Sequence, residues 1–176
     1  TNHGGTFQAI GHADRGLTFD GASTYADSAA FSIGGTNVSI LFWVKYASLS
    51  VGALVFCQEP VNTGLLVELD VTGLGIRGGG APYTNLTATA PSANVWHQVV
   101  GTMAGGTANL YVDGSLVAGP GSAIAFTDAS RVLSIGRYNS GAYFPGVVGL
   151  VQICNSVLSA AEVAAAWTAQ RATFGV

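Results

Sequence analysis

The stretch "WHQVVGTMAGGTANLYVDGSLVAG", Trp96 to Gly119, decides how the chain is read. Asp113-Gly114 stands between two runs of alternating apolar residues. That is a strong signal for a two-residue hairpin, because a type I′ turn needs positive φ at both central positions. The preceding "MAGGTA" reads as a second hairpin connection. A catalytic Asp113 in such a turn would be exposed, with nothing around it to shift its ionisation. His97 lies inside an apolar strand after Trp96 and reads as a strand histidine with its ring satisfied, not as a ligand or base. No Ser–His–acid or Cys–His constellation stands out from the sequence. The stretch is frame, and function has to be sought elsewhere.

Working outward, short apolar runs bounded by Gly, Asn, Ser and Pro recur along the whole chain. Strands are expected at Leu17–Phe19, Val38–Tyr46, Ala53–Gln58, Leu65–Val71, Leu74–Arg77 and Val95–Met103. Further ones are expected at Ala108–Val112, Ser115–Ala118, Val132–Ile135 and Val147–Cys154. Many short strands separated by turn residues predict an antiparallel all-β sandwich or barrel. "VSILFWVKY" (38–46) is apolar at both parities, as a central strand covered on both faces would be. One helix is expected over 159–171. Ser159 and Glu162 have capping-box spacing, Val163, Ala166, Trp167 and Gln170 share a face, and Arg171 suits the negative end of the helix dipole. Trp167 is expected to pin this helix to the sandwich. Residues 1–16 are an arm that packs on a neighbour, an extra edge strand or a disordered segment. With no linker and no repeat, 1–176 reads as one domain.

Composition narrows the function classes. Only 9 % of the 176 residues are charged, against roughly 25 % in ordinary soluble domains, while 49 % are hydrophobic and 25 are glycine. So little charge suits a surface covered by neighbouring chains, or a protein that works outside the cell. The net charge of −3 and the scattered Arg and single Lys45 argue against nucleic acid. No apolar run approaches the ~18 residues of a membrane span. A start at Thr1 instead of Met points to a processed or excised chain. Cys57 and Cys154 each sit in an apolar run with no ligand-spaced partner, which disfavours metal and favours two buried free thiols, with a disulfide as the alternative. Two sequons, Asn37-Val38-Ser39 and Asn85-Leu86-Thr87, matter only in a eukaryotic secretory pathway.

The order of the segments "LTFDGASTYADS" (17–28), "VSILFWVKY" (38–46), "WHQVVGTM" (96–103), "NLYVDGSLV" (109–117), "LSIGR" (133–137) and "FPGVVGLVQICNSVLSAAEV" (144–163) carries more than any one of them. Together, over about residues 17–163, they resemble the laminin-G-like, concanavalin A-like lectin/glucanase jelly-roll family. The resemblance implies a jelly-roll β-sandwich with one short C-terminal α-helix. It is far less specific for function, because the fold hosts lectin-like, adhesive and catalytic members. Family members that hold calcium often use an Asp in the last strand, where this chain has Gly149-Leu150. Asp20 matches the F-D-G acid, but one carboxylate is a poor start for calcium, which is therefore disfavoured, and no other cofactor is implied.

Three classes of function remain. Some jelly rolls of this shape cleave β-glucans with acids written E-x-D-x-E. The nearest approach is Glu68-Leu69-Asp70, with Thr72 in place of the third acid. Alternation puts Glu68 and Asp70 on one face about 6.5 Å apart, near the roughly 5–5.5 Å of a retaining glycosidase. The favoured reading makes them the wet face of an ordinary half-buried strand, so no enzyme is expected. Carbohydrate recognition is the leading expectation, because sugars need flat aromatic faces beside planar polar groups. Two loops, 77–85 and 136–144, offer Arg77, Tyr83, Asn85, Arg137, Tyr138, Asn139 and Tyr143, while Phe144 is expected in the core. The chain then reads as a non-catalytic recognition or adhesion module, extracellular or on a cell or virion surface, with a glycan as partner. The alternative is a structural subunit or decoration protein of a virion or extracellular filament, whose partners are other protein chains.

Overall fold

A computed structural model describes residues 2–3, 6–7, 16–32, 37–49, 54–58, 65–78, 85–121, 132–138 and 141–176. The strongest sequence segments build the middle of the fold. β5 (Val38–Tyr46) lies between β10 (His97–Ala104) and β16 (Pro145–Cys154) at the centre of a seven-stranded sheet. The sheet continues through β11 (Thr107–Val112) to β12 (Ser115–Gly121) on one side. On the other it passes through β3 (Leu17–Asp20) to β2 (Thr6–Phe7). Its two-sided apolar pattern has the expected cause. Ile40, Phe42 and Val44 enter the core between the sheets, while Leu41 and Trp43 enter a second cluster on the outer face.

The facing sheet runs β1 (Asn2–His3), β4 (Tyr25–Asp27), β13 (Leu133–Ile135), β6 (Leu54–Gln58), β7 (Leu65–Asp70), β8 (Gly73–Gly78), β9 (Asn85–Ala88). Every pairing in both sheets is antiparallel. Val67, Leu69, Leu74 and Ile76 meet the β5 side chains, which makes the pair of sheets a jelly-roll β-sandwich. Phe144 is fully buried, as expected. Asp113 and Gly114 take φ of 52° and 77°, the two positive values that the hairpin between β11 and β12 requires. Within the 1–16 arm, β1 and β2 are edge strands, one on each sheet.

The helix α1 (Ala160–Phe174) lies over the outer face of the central sheet, against Leu41, Trp43, Trp96 and Tyr111. Its capping box is formed: the Glu162 N–H donates to Ser159 Oγ (3.3 Å) and the Ser159 N–H donates to Glu162 Oε2 (2.7 Å). Trp43 stacks on Trp167 at 5.2 Å and donates its indole N–H to Gln170 Oε1 at 2.8 Å. The helix outruns its expected end at Arg171 because Phe174 docks too, stacked on Trp43 at 4.1 Å and edge-on to Trp96 at 5.0 Å. Ser159→Ala is expected to lower unfolding free energy by about 1 kcal/mol, measurable by urea denaturation, because the cap is exposed and its loss leaves N–H groups to water.

Three expectations need correction. Glu68 and Asp70 are not a wet face: they are 9 % and 3 % exposed. Alternation correctly places them together, opposite the core-facing Val67 and Leu69, but does not reveal that their own face is covered. The anticipated strand to Val71 ends at Asp70, where a turn begins and Val71 is exposed. Cys154 is a free thiol, but half-buried where a buried one was expected; the Cys57 side chain lies outside the described residues.

Candidate functional site

Tyr25 and Asp27 alternate along β4 and so share the outer face of their sheet. Ser134 of β13 pairs with Asp27, and its hydroxyl donates to Asp27 Oδ1 at 2.7 Å. Just beyond β13 the chain forms a small hairpin, β14 (Arg137–Tyr138) with β15 (Ala142–Tyr143). Arg137 donates to Asp27 Oδ2 at 3.2 Å and lays its guanidinium 3.9 Å above the Tyr25 ring centre. Tyr143, paired with Arg137 across the hairpin, stands 6.4 Å from Tyr25 at 45°. All four side chains are partly exposed. The result is a surface cluster of two aromatic rings and a guanidinium plane, held from below by a carboxylate that Ser134 fixes.

Of the expected site residues, Arg137 and Tyr143 are thus brought together. Tyr138 pairs with Ala142 and lies on the opposite side of the hairpin. Tyr83 and Asn139 lie outside the described residues, as does the Asn85 side chain. Tyr25 and Asp27 were missed by sequence reasoning. Their signal was the Tyr-Ala-Asp alternation just after the F-D-G motif, too short to read as a strand.

Arg77 belongs to a different part of the same face. Cross-strand registers set Asp27, Ser134, Cys57, Leu66, Arg77 and Asn85 in one row. Five strand spacings separate its ends, about 24 Å. In the middle of the row Leu66 and Ser134 are buried. Arg77 forms an ion pair with Glu68. Burial raises the Glu68 carboxyl above its ordinary range; Arg77 opposes this, and the adjacent Asp70 adds to it by charge and hydrogen bonding. Two carboxyl groups leaning on one another beside an arginine form an internal charge network.

The sequence profile described as the concanavalin A-like lectin/glucanases superfamily, in its laminin-G-like branch, matches residues 20–164. The chain belongs to that superfamily. No curated protein matches its sequence. Among solved structures it resembles domain 4 of an extracellular arabinanase from Geobacillus stearothermophilus, in complex with arabinotriose, with a TM-score of 0.72 at 17 % identity over 94 % of this chain and 80 % of that one. It also resembles the binding domain of botulinum neurotoxin DC in complex with SialylT (TM-score 0.76, 11 % identity, 96 % of this chain and 45 % of that one). A third is the Trypanosoma rangeli sialidase (TM-score 0.68, 19 % identity, 93 % and 29 %). The chain therefore spans less than half of the latter two. At these identities the likeness establishes the fold.

This concanavalin A-like domain treats its F-D-G acid in a particular way. Asp20 Oδ1 accepts from the N–H groups of Ala22, Ser23 and Thr24 at 2.8, 2.8 and 3.0 Å. The Thr24 hydroxyl adds a fourth bond to that oxygen, and the Ser23 hydroxyl donates to Oδ2. These donors, the backbone N–H groups first, hold the carboxyl far below the usual range. A calcium ion here would have to displace them, and among the described residues no three His, Cys, Asp or Glu stand together as a metal site. A depressed folded-state pKa contributes stability that is present above the unfolded value of 3.8 and lost as pH falls below it. The difference in melting temperature between wild type and Asp20→Ala should therefore be constant from pH 7 to 5 and shrink below about pH 4.

His97, in the superfamily's Trp-His strand, has its ring satisfied as expected, but by partners that the sequence did not reveal. Nδ1 lies 2.7 Å from Asp113 Oδ2. Nε2 lies 2.9 Å from Ser92 Oγ and 3.1 Å from the Ser92 carbonyl oxygen. Asp113 Oδ1 accepts the Gln98 N–H at 3.0 Å. Asp113 is thus half-buried and engaged rather than a bare turn residue, and a Ser–His–acid arrangement is present after all.

Proposed function

We propose that this domain is a non-catalytic carbohydrate-binding module whose ligand docks on the Tyr25–Arg137–Tyr143 cluster. The observation that carries the reading is the stacking of a guanidinium on one tyrosine beside a second, above an anchored carboxylate. A sugar ring needs such flat apolar faces edged by planar donors and acceptors. Asn139, two positions after Arg137 in the sequence, is proposed as a flanking contact. The arabinotriose held by the arabinanase domain of the same fold supports a saccharide ligand, and the low charge supports work outside the cell. No helix among the described residues is long and apolar enough to cross a membrane.

A second reading, a subunit of a virion or extracellular filament, is favoured by the exposure of Leu116, Val117 and Val71 on a surface with so little charge. A glycan array run beside light scattering separates the two. The binding reading expects a monodisperse protein that retains specific saccharides, with Tyr143→Ala and Arg137→Ala each weakening retention about tenfold or more. An array that stays silent, with a mass far above 17.8 kDa, would reject it in favour of assembly.

A further inference from the structure

We infer, on the reading that the Tyr25–Arg137–Tyr143 cluster is the saccharide site, that it takes uncharged sugars and that Asp27 is the residue that turns acidic ones away. An arginine beside aromatic rings would by itself favour the opposite. A guanidinium pairs more strongly with a carboxylate than with a hydroxyl. Here that place is filled from within the protein. Arg137 Nη2 donates to Asp27 Oδ2 at 3.2 Å, and the two side chains are 23 % and 16 % exposed, so water screens the pair only in part.

Asp27 is not free to withdraw. Its other oxygen accepts from the hydroxyl of Ser134, a residue with no exposed surface, at 2.7 Å. The next position along is tied twice to β13. The Ser28 N–H donates to the Leu133 carbonyl at 2.9 Å, and the Leu133 N–H donates to Ser28 Oγ at 3.0 Å. Arg137 is held as firmly, with its guanidinium 3.9 Å above the Tyr25 ring centre. A side-on grip on an incoming carboxylate needs Nε together with Nη2. Nε is buried without an acceptor, and Nη2 already serves Asp27.

A sugar hydroxyl suits this arrangement, because it both donates and accepts and brings no charge to the ion pair. A sugar carboxylate only accepts. It would have to share Arg137 with Asp27 while lying against a fixed like charge. The rest of the sheet adds to the effect. Among its described residues the other arginine or lysine is Arg77, which is paired with Glu68, and Asp70 lies two positions along the same strand. Three carboxyl groups thus stand against two guanidiniums, in a chain of net charge −3.

The test is a glycan array that carries neutral, uronic and sialylated oligosaccharides side by side, run at about 50 and about 500 mM sodium chloride. Wild type should retain neutral members at least about tenfold more tightly than acidic ones, with little change between the two salt concentrations. Asp27→Asn keeps the size of the side chain and leaves Arg137 without its counter-charge. It should gain about tenfold or more for acidic members at low salt and lose that gain at high salt. The preference of the wild type and its salt response decide the matter even if the variant does not fold. Acidic glycans retained as tightly as neutral ones would overturn the inference and leave the saccharide reading standing. A folded Asp27→Asn protein that gains nothing for acids would remove Asp27 from its role. Silence across the array from folded wild type would overturn the saccharide reading and this specificity with it.

Discussion

Trp43→Ala should cost about 3–5 kcal/mol of unfolding free energy, the range for truncating a fully buried tryptophan. The side chain has no exposed surface, and it belongs to the apolar cluster on which α1 sits. Trp167 and Phe174 both stack on it, and its indole N–H holds Gln170. Removing the ring leaves a cavity under the helix. It also leaves Gln170 Oε1 with the Gln98 amide, 3.1 Å away, as its remaining donor among the described side chains. Urea denaturation followed by far-ultraviolet circular dichroism reads the effect directly. A loss under about 1 kcal/mol would mean that the helix lies on the sandwich without contributing to its stability.

Gly136→Ala is expected to be the most damaging change of a single hydrogen to a methyl near the cluster. Gly136 has φ of +85°, and an added Cβ would stand 2.5, 2.7 and 2.9 Å from three ring atoms of Phe19. Phe19 is core and cannot retreat. Strain in the left-handed region adds about 1 kcal/mol to the overpacking, for a total of about 2–4 kcal/mol. The hairpin that carries Arg137 and Tyr143 starts at the next residue, so its displacement should weaken saccharide binding even at temperatures where the variant is folded. Gly141→Ala is the matched control, because a Cβ there meets nothing within 4 Å. A Gly136→Ala protein that melts with wild type would show that the turn has slack which its contacts deny.

What could be read in advance was what neighbouring residues decide among themselves. The Asp113-Gly114 turn, the Ser159–Glu162 cap and the two-sided apolar run of β5 each need only a few consecutive residues, and each forms as expected. The short strands β4 and β9 escaped because three or four mixed residues carry too little periodicity; tertiary pairing makes them strands. Glu68 and Asp70 show the second limit. Alternation says which residues share a face, but burial of that face depends on segments far away in sequence. The Ser92–His97–Asp113 contact is hidden for a third reason. It requires the register Val99 to Val112, which brings the turn beside the start of β10, together with a connection folded back over that start. For the Tyr25–Arg137–Tyr143 cluster, the sequence offered the hairpin half. The β4 half, 110 residues away between Asp27 and Arg137, became visible only with the sheet order.

The seat of α1 has a consequence in time as well as in energy. Trp43 and the glutamine that receives its N–H are 127 positions apart. As the polypeptide leaves the ribosome, the outward side of the central strand is complete long before its lid has been translated. For that interval a tryptophan, a leucine and a tyrosine face water together, at the moment when the nascent chain is most prone to self-association. Contacts this distant along the chain also close slowly. The fifteen-residue helix therefore acts late, sealing an apolar patch that stands open until it arrives.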